Sequence, residues 1–335
     1  MRRALVTGAT GFIGHHLIRR LLAEGADVKC LVRSQSPFAE LSEQGVALVQ
    51  GDLTDASSLV EAVKDVDVVY HLGGPTKSVH RGDLLKVNGE GARNVSLTCS
   101  QRSCPPALVL VSSLAAAGPS HGAEPRVETD HVNPVSHYGR SKRAGELAVM
   151  ERAAEVPTTI VRPPIVVGER DRDGFQWFQM IRKLGIHLTP GFANHYYSMI
   201  HADDLTSALM LAAHAGERLT GSVEDDTGIY FAACDEVITY ADLGRVIGSS
   251  VGCSNTRVVH APLWMIWGLG LGCDLWARVR KNPTILSVDK AREAAAGAWA
   301  CSAAKLQRHT GFQPAMTLEN RLRQTADWYI QEKWL

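Results

Sequence analysis

The chain has 335 residues, with 35 Lys plus Arg balancing 35 Asp plus Glu and 45% hydrophobic residues. The length suits one large domain or two smaller ones, and the zero formal charge gives no electrostatic case for a nucleic-acid partner. The seven cysteines include no CxxC pair and no zinc spacing, which predicts free thiols in a reducing compartment and no metal site.

Ala4-Leu5-Val6 reads as a short buried strand. It runs into Thr7-Gly8-Ala9-Thr10-Gly11-Phe12-Ile13-Gly14, and apolar residues then recur at helical spacing at Leu17, Ile18, Leu21 and Leu22. A strand, a glycine turn and a helix N-terminus in that order form a pyrophosphate site, because free backbone N–H groups and the helix dipole face the anion. Gly8 permits the turn, Gly11 lets backbone approach phosphate, and Gly14 lets helix and strand pack closely. Taken alone, the stretch is equally an ordinary glycine-rich βα turn. A strand starting this early leaves no room for a signal peptide, so a cytoplasmic protein is expected.

Further strands are predicted at Val28–Val32, Ala47–Gln50, Val66–His71, Leu108–Val111 and Thr159–Val161. Amphipathic helical stretches at Ser57–Lys64 and Gly89–Gln101 lie between them. Short apolar strands separated by helices predict a doubly wound α/β domain, a parallel sheet covered on both faces. Residues 1–165 make that domain. From 166 to 335 the rhythm changes to a smaller, interleaved substrate lobe, with helices over 175–184, 203–215 and 240–251. Gly228-Ile229-Tyr230-Phe231 reads as a late strand returning to the main sheet, within 228–233. Ser302 is expected to cap a helix that stops at Gly311, and Thr317 to cap the last helix, through Tyr329.

Pro262–Cys273 is almost entirely apolar, and Leu275, Trp276, Arg278, Arg280 and Lys281 follow it. Twelve residues are too few to span a bilayer. Two readings stand: a buried helix over the substrate pocket, or a lipid-facing element, a peripheral membrane contact through 262–276 with basic residues at its edge.

Tyr138 and Lys142 lie at i and i+4, on one face of a predicted helix. A phenol with a reference pKa of about 10 is a poor proton donor or base at neutral pH, and a neighbouring ammonium is expected to lower it. Upstream, the fifth predicted strand ends in Ser112-Ser113-Leu114, and carboxyl ends of strands line the ligand crevice of such sheets. A serine hydroxyl there can hold a substrate oxygen. Each signal alone is weak, but their order along the chain argues for one site.

With these residues in place, the chain resembles the extended short-chain dehydrogenases/reductases, in their TGxxGxxG form. The resemblance includes Gly51-Asp52-Leu53, His71-Leu72-Gly73-Gly74, Asn88, Arg162-Pro163-Pro164-Ile165-Val166-Val167-Gly168 and Ile200-His201-Ala202-Asp203-Asp204. It implies a Rossmann-type fold, with the glycine turn (Gly8, Thr10, Gly11, Phe12, Ile13, Gly14) and Leu72-Gly73 at the cofactor. By the same resemblance Ser113 orients the substrate oxygen, Tyr138 exchanges the proton, and Lys142 binds the nicotinamide ribose and depresses the Tyr138 pKa. Asp52 and Leu53 would meet the adenine, Pro163 and Ile165 the nicotinamide side, and Asn88 is a weaker carry-over. Asp203 and Asp204 are read as caps of the following helix. The family also implies a homodimer through a four-helix interface.

The second strand ends Leu31-Val32-Arg33-Ser34, without the acid that would bond the 2′-hydroxyl of NAD. Arg33 and Ser34 suit a 2′-phosphate, so NADP is expected, with NAD as the alternative. The resemblance favours a ketone/secondary-alcohol oxidoreductase acting on a hydrophobic small molecule, similar to the 3β-hydroxysteroid dehydrogenase-like and dihydroflavonol reductase-like branches. A nucleotide-sugar epimerase or dehydratase with retained NAD is the alternative, and Arg172, Arg182 and Lys183 are candidates to hold its diphosphate. A non-catalytic NADP-binding sensor is the third reading, which the Tyr/Lys pair disfavours.

Overall fold

The computed structural model describes residues 3–35, 39–280, 282, 284 and 286–335. Lys281, expected at the basic edge of the apolar run, lies outside the described residues. The strands in chain order are β1 (Arg3–Thr7), β2 (Asp27–Val32), β3 (Ala47–Gln50), β4 (Val68–His71), β5 (Ala107–Val111) and β6 (Thr158–Arg162), then β7 (Ile165–Val167), β8 (Ile186–Pro190), β9 (Tyr196–His201), β10 (Ile229–Phe231), β11 (Val237–Thr239) and β12 (Arg257–Ala261). Seven of them form one parallel sheet in the order β10-β6-β5-β4-β1-β2-β3. The order reverses between β1 and β4, so the two loops leaving those strands separate and open a crevice between them.

Both faces of the sheet are buried, which is why its strands are apolar runs. Ala4, Val6, Val109 and Val111 pack one face with Leu17, Ile18 and Leu205. Leu5, Val69, Leu108 and Ile160 pack the other with Val63, Val95 and Val149. A third apolar cluster, around Phe178, Ile181, Leu243, Ile247, Leu322 and Tyr329, supports the smaller lobe. β10 joins that main sheet beside β6, with Tyr230 opposite Val161, so the lobe's chain threads back through the larger domain.

Several local expectations are corrected. Ser57–Lys64 holds only a 3₁₀ turn, Ala56–Leu59, capped by Asp55. Leu59, Ala62 and Val63 carry the helical spacing, yet they reach the core without a regular helix. Gly89–Gln101 starts inside a π-helical turn, Lys86–Glu90, that leads into the helix Gly91–Ser100. Ser302 is not at the cap of its helix: Ala303 is, and Ser302 only receives Ala304 N–H at 3.3 Å. Gly311 ends that helix in the left-handed region at φ 72°, and Thr317 caps the last helix through Asn320 N–H. The helix after β9 is capped by the His201 ring, not by Asp203 or Asp204. Those two acids tie separate elements together instead: Asp203 pairs with His16 and Arg19, and Asp204 with Arg321.

The apolar run forms the helix Leu263–Arg280, and the buried-helix reading fails. Only Gly270 and Ala277 are buried along it, while Trp264 is 74% and Val279 78% exposed. Among the described residues, no helix is long and apolar enough to cross a membrane.

Candidate active site

The glycine turn sits where the sheet order reverses. Gly8 has φ 72°, and a Cβ there would lie 2.8 Å from Gly73 N, so the loops after β1 and β4 touch at bare backbone. A Cβ on Gly14 would lie 2.3 Å from Gly8 O, which fixes how closely the first helix approaches its strand. That helix, Phe12–Ala23, is capped by Gly11 with no side-chain bond, and Thr10 and Gly11 are exposed beside the half-buried Phe12 and Ile13. Its first-turn N–H groups therefore lack side-chain acceptors at the crevice floor, as a phosphate requires. Thr7 secures the wall: its hydroxyl receives Gly73 N–H at 3.1 Å and bonds His71 Nδ1 at 2.7 Å. Burial, helped by the Lys142 charge, pushes His71 down to about 3, so the ring is neutral at physiological pH.

Arg33 and Ser34 follow β2 and are both exposed. Asp52 follows β3, where its carboxylate accepts Thr54 N–H and Thr54 Oγ1, each at 2.8 Å. Those two bonds, with help from the Arg33 charge, hold Asp52 below the ordinary carboxylate range. Leu53 leans over Gly73, and Leu72 is half-buried beside it. Asn88 is buried in the π-helical turn and donates to Pro75 O at 3.1 Å and Ser141 Oγ at 2.8 Å. Its Oδ1 is buried without a partner. Pro163 and Ile165 follow β6, and Pro163 O accepts Leu114 N–H at 2.8 Å, which fixes the loop after β5 against the loop after β6. Glycine cradle, free helix N-terminus and cationic rim fit a dinucleotide.

The reactive side chains meet beside that crevice. Ser113 caps the short helix Leu114–Ala117, and its Oγ accepts Ala115 N–H at 3.1 Å. The same hydroxyl lies close enough to the Tyr138 phenol to favour its ionised form. Tyr138 stands in the first turn of the helix His137–Met150, which Ser136 caps through Gly139 N–H at 2.9 Å. Lys142 is buried one turn on, and its Nζ donates to Val111 O at 2.6 Å, at the last residue of β5. Burial pushes Lys142 down to about 8, against the opposing charge of Glu146. Glu146 is itself fully buried and holds Arg162 with two bonds, at 2.8 and 2.7 Å, and Ser112 Oγ at 2.6 Å. This ion pair anchors the helix to the ends of β5 and β6.

The expected effect of Lys142 on Tyr138 is corrected. Burial raises the Tyr138 pKa, and the counteracting cation is Lys290, with the nearby Ser113 hydroxyl acting the same way. Lys142 instead turns toward the backbone of β5. The Lys290 ammonium lies 5.9 Å from the Tyr138 ring centre and pairs with Glu293 at 2.7 Å. Asp289 accepts His137 N–H at 2.7 Å and Tyr138 N–H at 3.0 Å, a second cap on the same helix. Sequence reasoning missed all three residues of the helix Val288–Ala295. The only signal there was an ordinary cap, Ser287 before Val288-Asp289-Lys290, which says nothing of a partner 150 positions upstream. A surface hollow lined by Asp235, Glu236, Gln307, Phe312 and Met316 contains none of these residues.

A doubly wound sheet with such a crevice, and a serine and a tyrosine close together at its lip, fits an NAD(P)-dependent enzyme that acts on CH–OH groups. The family model "NAD dependent epimerase/dehydratase family" matches residues 4–223. The chain belongs to that family, within the extended short-chain dehydrogenases/reductases. It is 30% identical over 330 residues to the ceramide reductase of Caulobacter vibrioides, covering 98% of this chain and 95% of that protein. It is 27% identical over 236 residues to a decarboxylating sterol-4-alpha-carboxylate 3-dehydrogenase of Dictyostelium discoideum, covering 65% and 69% of the two chains. Among solved structures, the UDP-glucose 4-epimerase of Thermus thermophilus in complex with NAD shares the fold, with TM-score 0.73, 22% identity, and 98% and 99% of the two chains covered.

Proposed function

We propose that this protein is an NADP-dependent oxidoreductase that interconverts a ketone and a secondary alcohol on a hydrophobic, lipid-like small molecule. The observation that carries the reading is the placement of the Ser113 hydroxyl close to the Tyr138 phenol, beside a crevice built for a dinucleotide. Bound NADPH supplies the hydride. Ser113, its hydroxyl already oriented by Ala115 N–H, holds the substrate carbonyl oxygen. Tyr138 gives that oxygen its proton as the alkoxide develops, and a phenol kept protonated by burial is suited to donate. Lys142 holds the ribose and lends positive charge behind the reacting centre. Glycines 8, 11, 14 and 73, with Thr10, Phe12, Ile13 and Leu72, receive the pyrophosphate side. Asp52 and Leu53 lie at the adenine, Asn88, Pro163 and Ile165 toward the nicotinamide.

Arg33 and Ser34 support NADP over NAD, since no acid stands at the end of β2. A lipid-like substrate is supported by the relatives named for ceramide and sterol chemistry. Arg172, a candidate cation of the nucleotide-sugar reading, is exposed and lies 5.9 Å from the Trp334 ring centre. A homodimer belongs to the proposal on the family resemblance. The test offers purified protein and NADPH to long-chain and polycyclic ketones beside nucleotide sugars, following absorbance at 340 nm and product. Stoichiometric NADPH loss with a hydrophobic ketone is expected. Sugar conversion without net cofactor loss would replace this reading with the epimerase one.

A further inference from the structure

The helix Leu263–Arg280 is built inside out. On an ordinary surface helix the apolar stripe faces the protein and the charges face water. Here Trp264, Leu269, Leu271, Leu275, Trp276 and Val279 are all exposed. The positions turned inward are the small residues Gly270 and Ala277, with a Cβ on Gly270 only 2.9 Å from Ser287 O. The helix's one acid, Asp274, points inward too and receives Val288 N–H at 3.3 Å. Arg278 and Arg280 follow at its C-terminal end, and the Arg280 guanidinium lies 4.6 Å from the Trp276 ring centre. The apolar surface continues past the helix: Leu263 packs toward Gly191, and the neighbouring Phe192 is exposed and stacked on His260.

From this we infer that the helix Leu263–Arg280 lies in the interface of an anionic lipid membrane. Charge selects that occupant. The exposed face carries cations at one end and no acid, so a second copy seated on the same ridge would bring no counter-charge from this helix, whereas acidic phospholipid headgroups would. The two exposed tryptophans, Trp264 and Trp276, near opposite ends of the ridge, suit the headgroup boundary. An 18-residue helix that does not qualify as a span lies along the surface, with the protein body serving as its polar face. The helix packs on Val288–Ala295, whose Asp289 caps the Tyr138 helix, so a docked membrane would border the wall of the proposed site. The inference rests on the exposed helix and stands independently of the proposed substrate.

The test is flotation of the full-length protein with phosphatidylcholine vesicles, with and without phosphatidylglycerol, in the absence of substrate. Binding to the anionic vesicles, weakened by salt, is expected. Trp264→Glu, Leu271→Glu and Trp276→Glu should each weaken partitioning about tenfold or more, because each removes a large apolar side chain that the docked membrane would take out of water. Arg278→Glu and Arg280→Glu should each cost about fivefold on anionic vesicles alone. The altered side chains are exposed, so melting temperatures should match wild type, which separates lost docking from lost folding. Failure of the wild type to float on either vesicle would overturn the inference. So would a concentration-dependent dimer, by light scattering, that Leu271→Glu dissolves while flotation is unaffected. Neither result touches turnover in the ketone screen, so the two readings fail separately.

Discussion

The Asp289 carboxylate accepts the backbone N–H of Tyr138 at 3.0 Å, so a segment near the C-terminus caps the helix that carries the reacting phenol. Its second oxygen takes His137 N–H at 2.7 Å. Ser136 already caps this helix from its own end, and Asp289 satisfies donors that Ser136 does not reach. The negative charge also suits the positive end of the helix. Asp289→Ala should cost about 1 kcal/mol of stability. It should lower kcat at least about tenfold through misplacement of Tyr138, with NADPH affinity retained. Asp289→Asn should recover part of kcat. Thermal melts and steady-state kinetics on the three proteins check this, and an unchanged kcat in Asp289→Ala would remove the positioning role.

Arg33 stands at the end of β2, exposed and close enough to Asp52 to lower its pKa. A charge-assisted hydrogen bond to a 2′-phosphate contributes about 1.5–3 kcal/mol, or about 10- to 150-fold in affinity. Arg33→Ala should therefore weaken NADPH by roughly that factor and leave NADH nearly unchanged. Fluorescence titration with both cofactors measures it. Equal effects on the two would end the NADP assignment.

Lys142 is buried, and its pKa is pushed down to about 8. The cation is present below that pH and is lost as pH rises through it. The kcat/KM for ketone reduction, which reports the free enzyme, should fall above about pH 8. Whatever activity Lys142→Arg retains should lack that limb, because a guanidinium stays charged. A profile flat to pH 10 in wild type would contradict the role given to Lys142.

The smaller lobe is tied to the first helix through Glu169, His201, His16 and Asp203. Burial works against the Glu169 charge, but the His201 ring 3.3 Å from its carboxylate prevails and holds this carboxyl down to about 2. A depressed carboxylate contributes stability above its unfolded value of about 4.3 and loses it as pH falls toward the folded value. The contribution is on the order of 2 kcal/mol, lost between roughly pH 5 and 2. Glu169→Gln should be less stable than wild type at pH 7, and the difference should shrink at pH 3. Melting temperatures across that range test it, and a constant difference would place the effect in packing.

What could be read from the sequence was what is encoded locally. Gly8, Gly11 and Gly14 impose a backbone path that their own spacing specifies, and Tyr138 and Lys142 share a helix face by the helical repeat alone. The alternation of apolar strands with helices was enough for the sheet, because a parallel sheet buried on both faces leaves no other pattern. Long-range partners were not legible: nothing near Asp289 or Lys290 signals Tyr138, and nothing near His201 signals Glu169. Lys142 shows the limit of spacing, since the i, i+4 rule puts it beside Tyr138 while its ammonium turns to Val111 O. The run from Pro262 misled for the opposite reason. Apolar composition predicts burial, but burial depends on having a surface to pack against, and along this helix only the small residues Gly270 and Ala277 are buried.

Tyr138→Phe tests the central assignment most directly. The change removes one hydroxyl and keeps the ring between Lys290 and the crevice. Loss of a positioned proton donor costs about 10²–10⁴-fold in rate. With a ketone substrate in hand, single-turnover reduction should slow by that factor while the NADPH dissociation constant stays within about twofold of wild type. Turnover close to wild type in Tyr138→Phe would show that the proton comes from elsewhere.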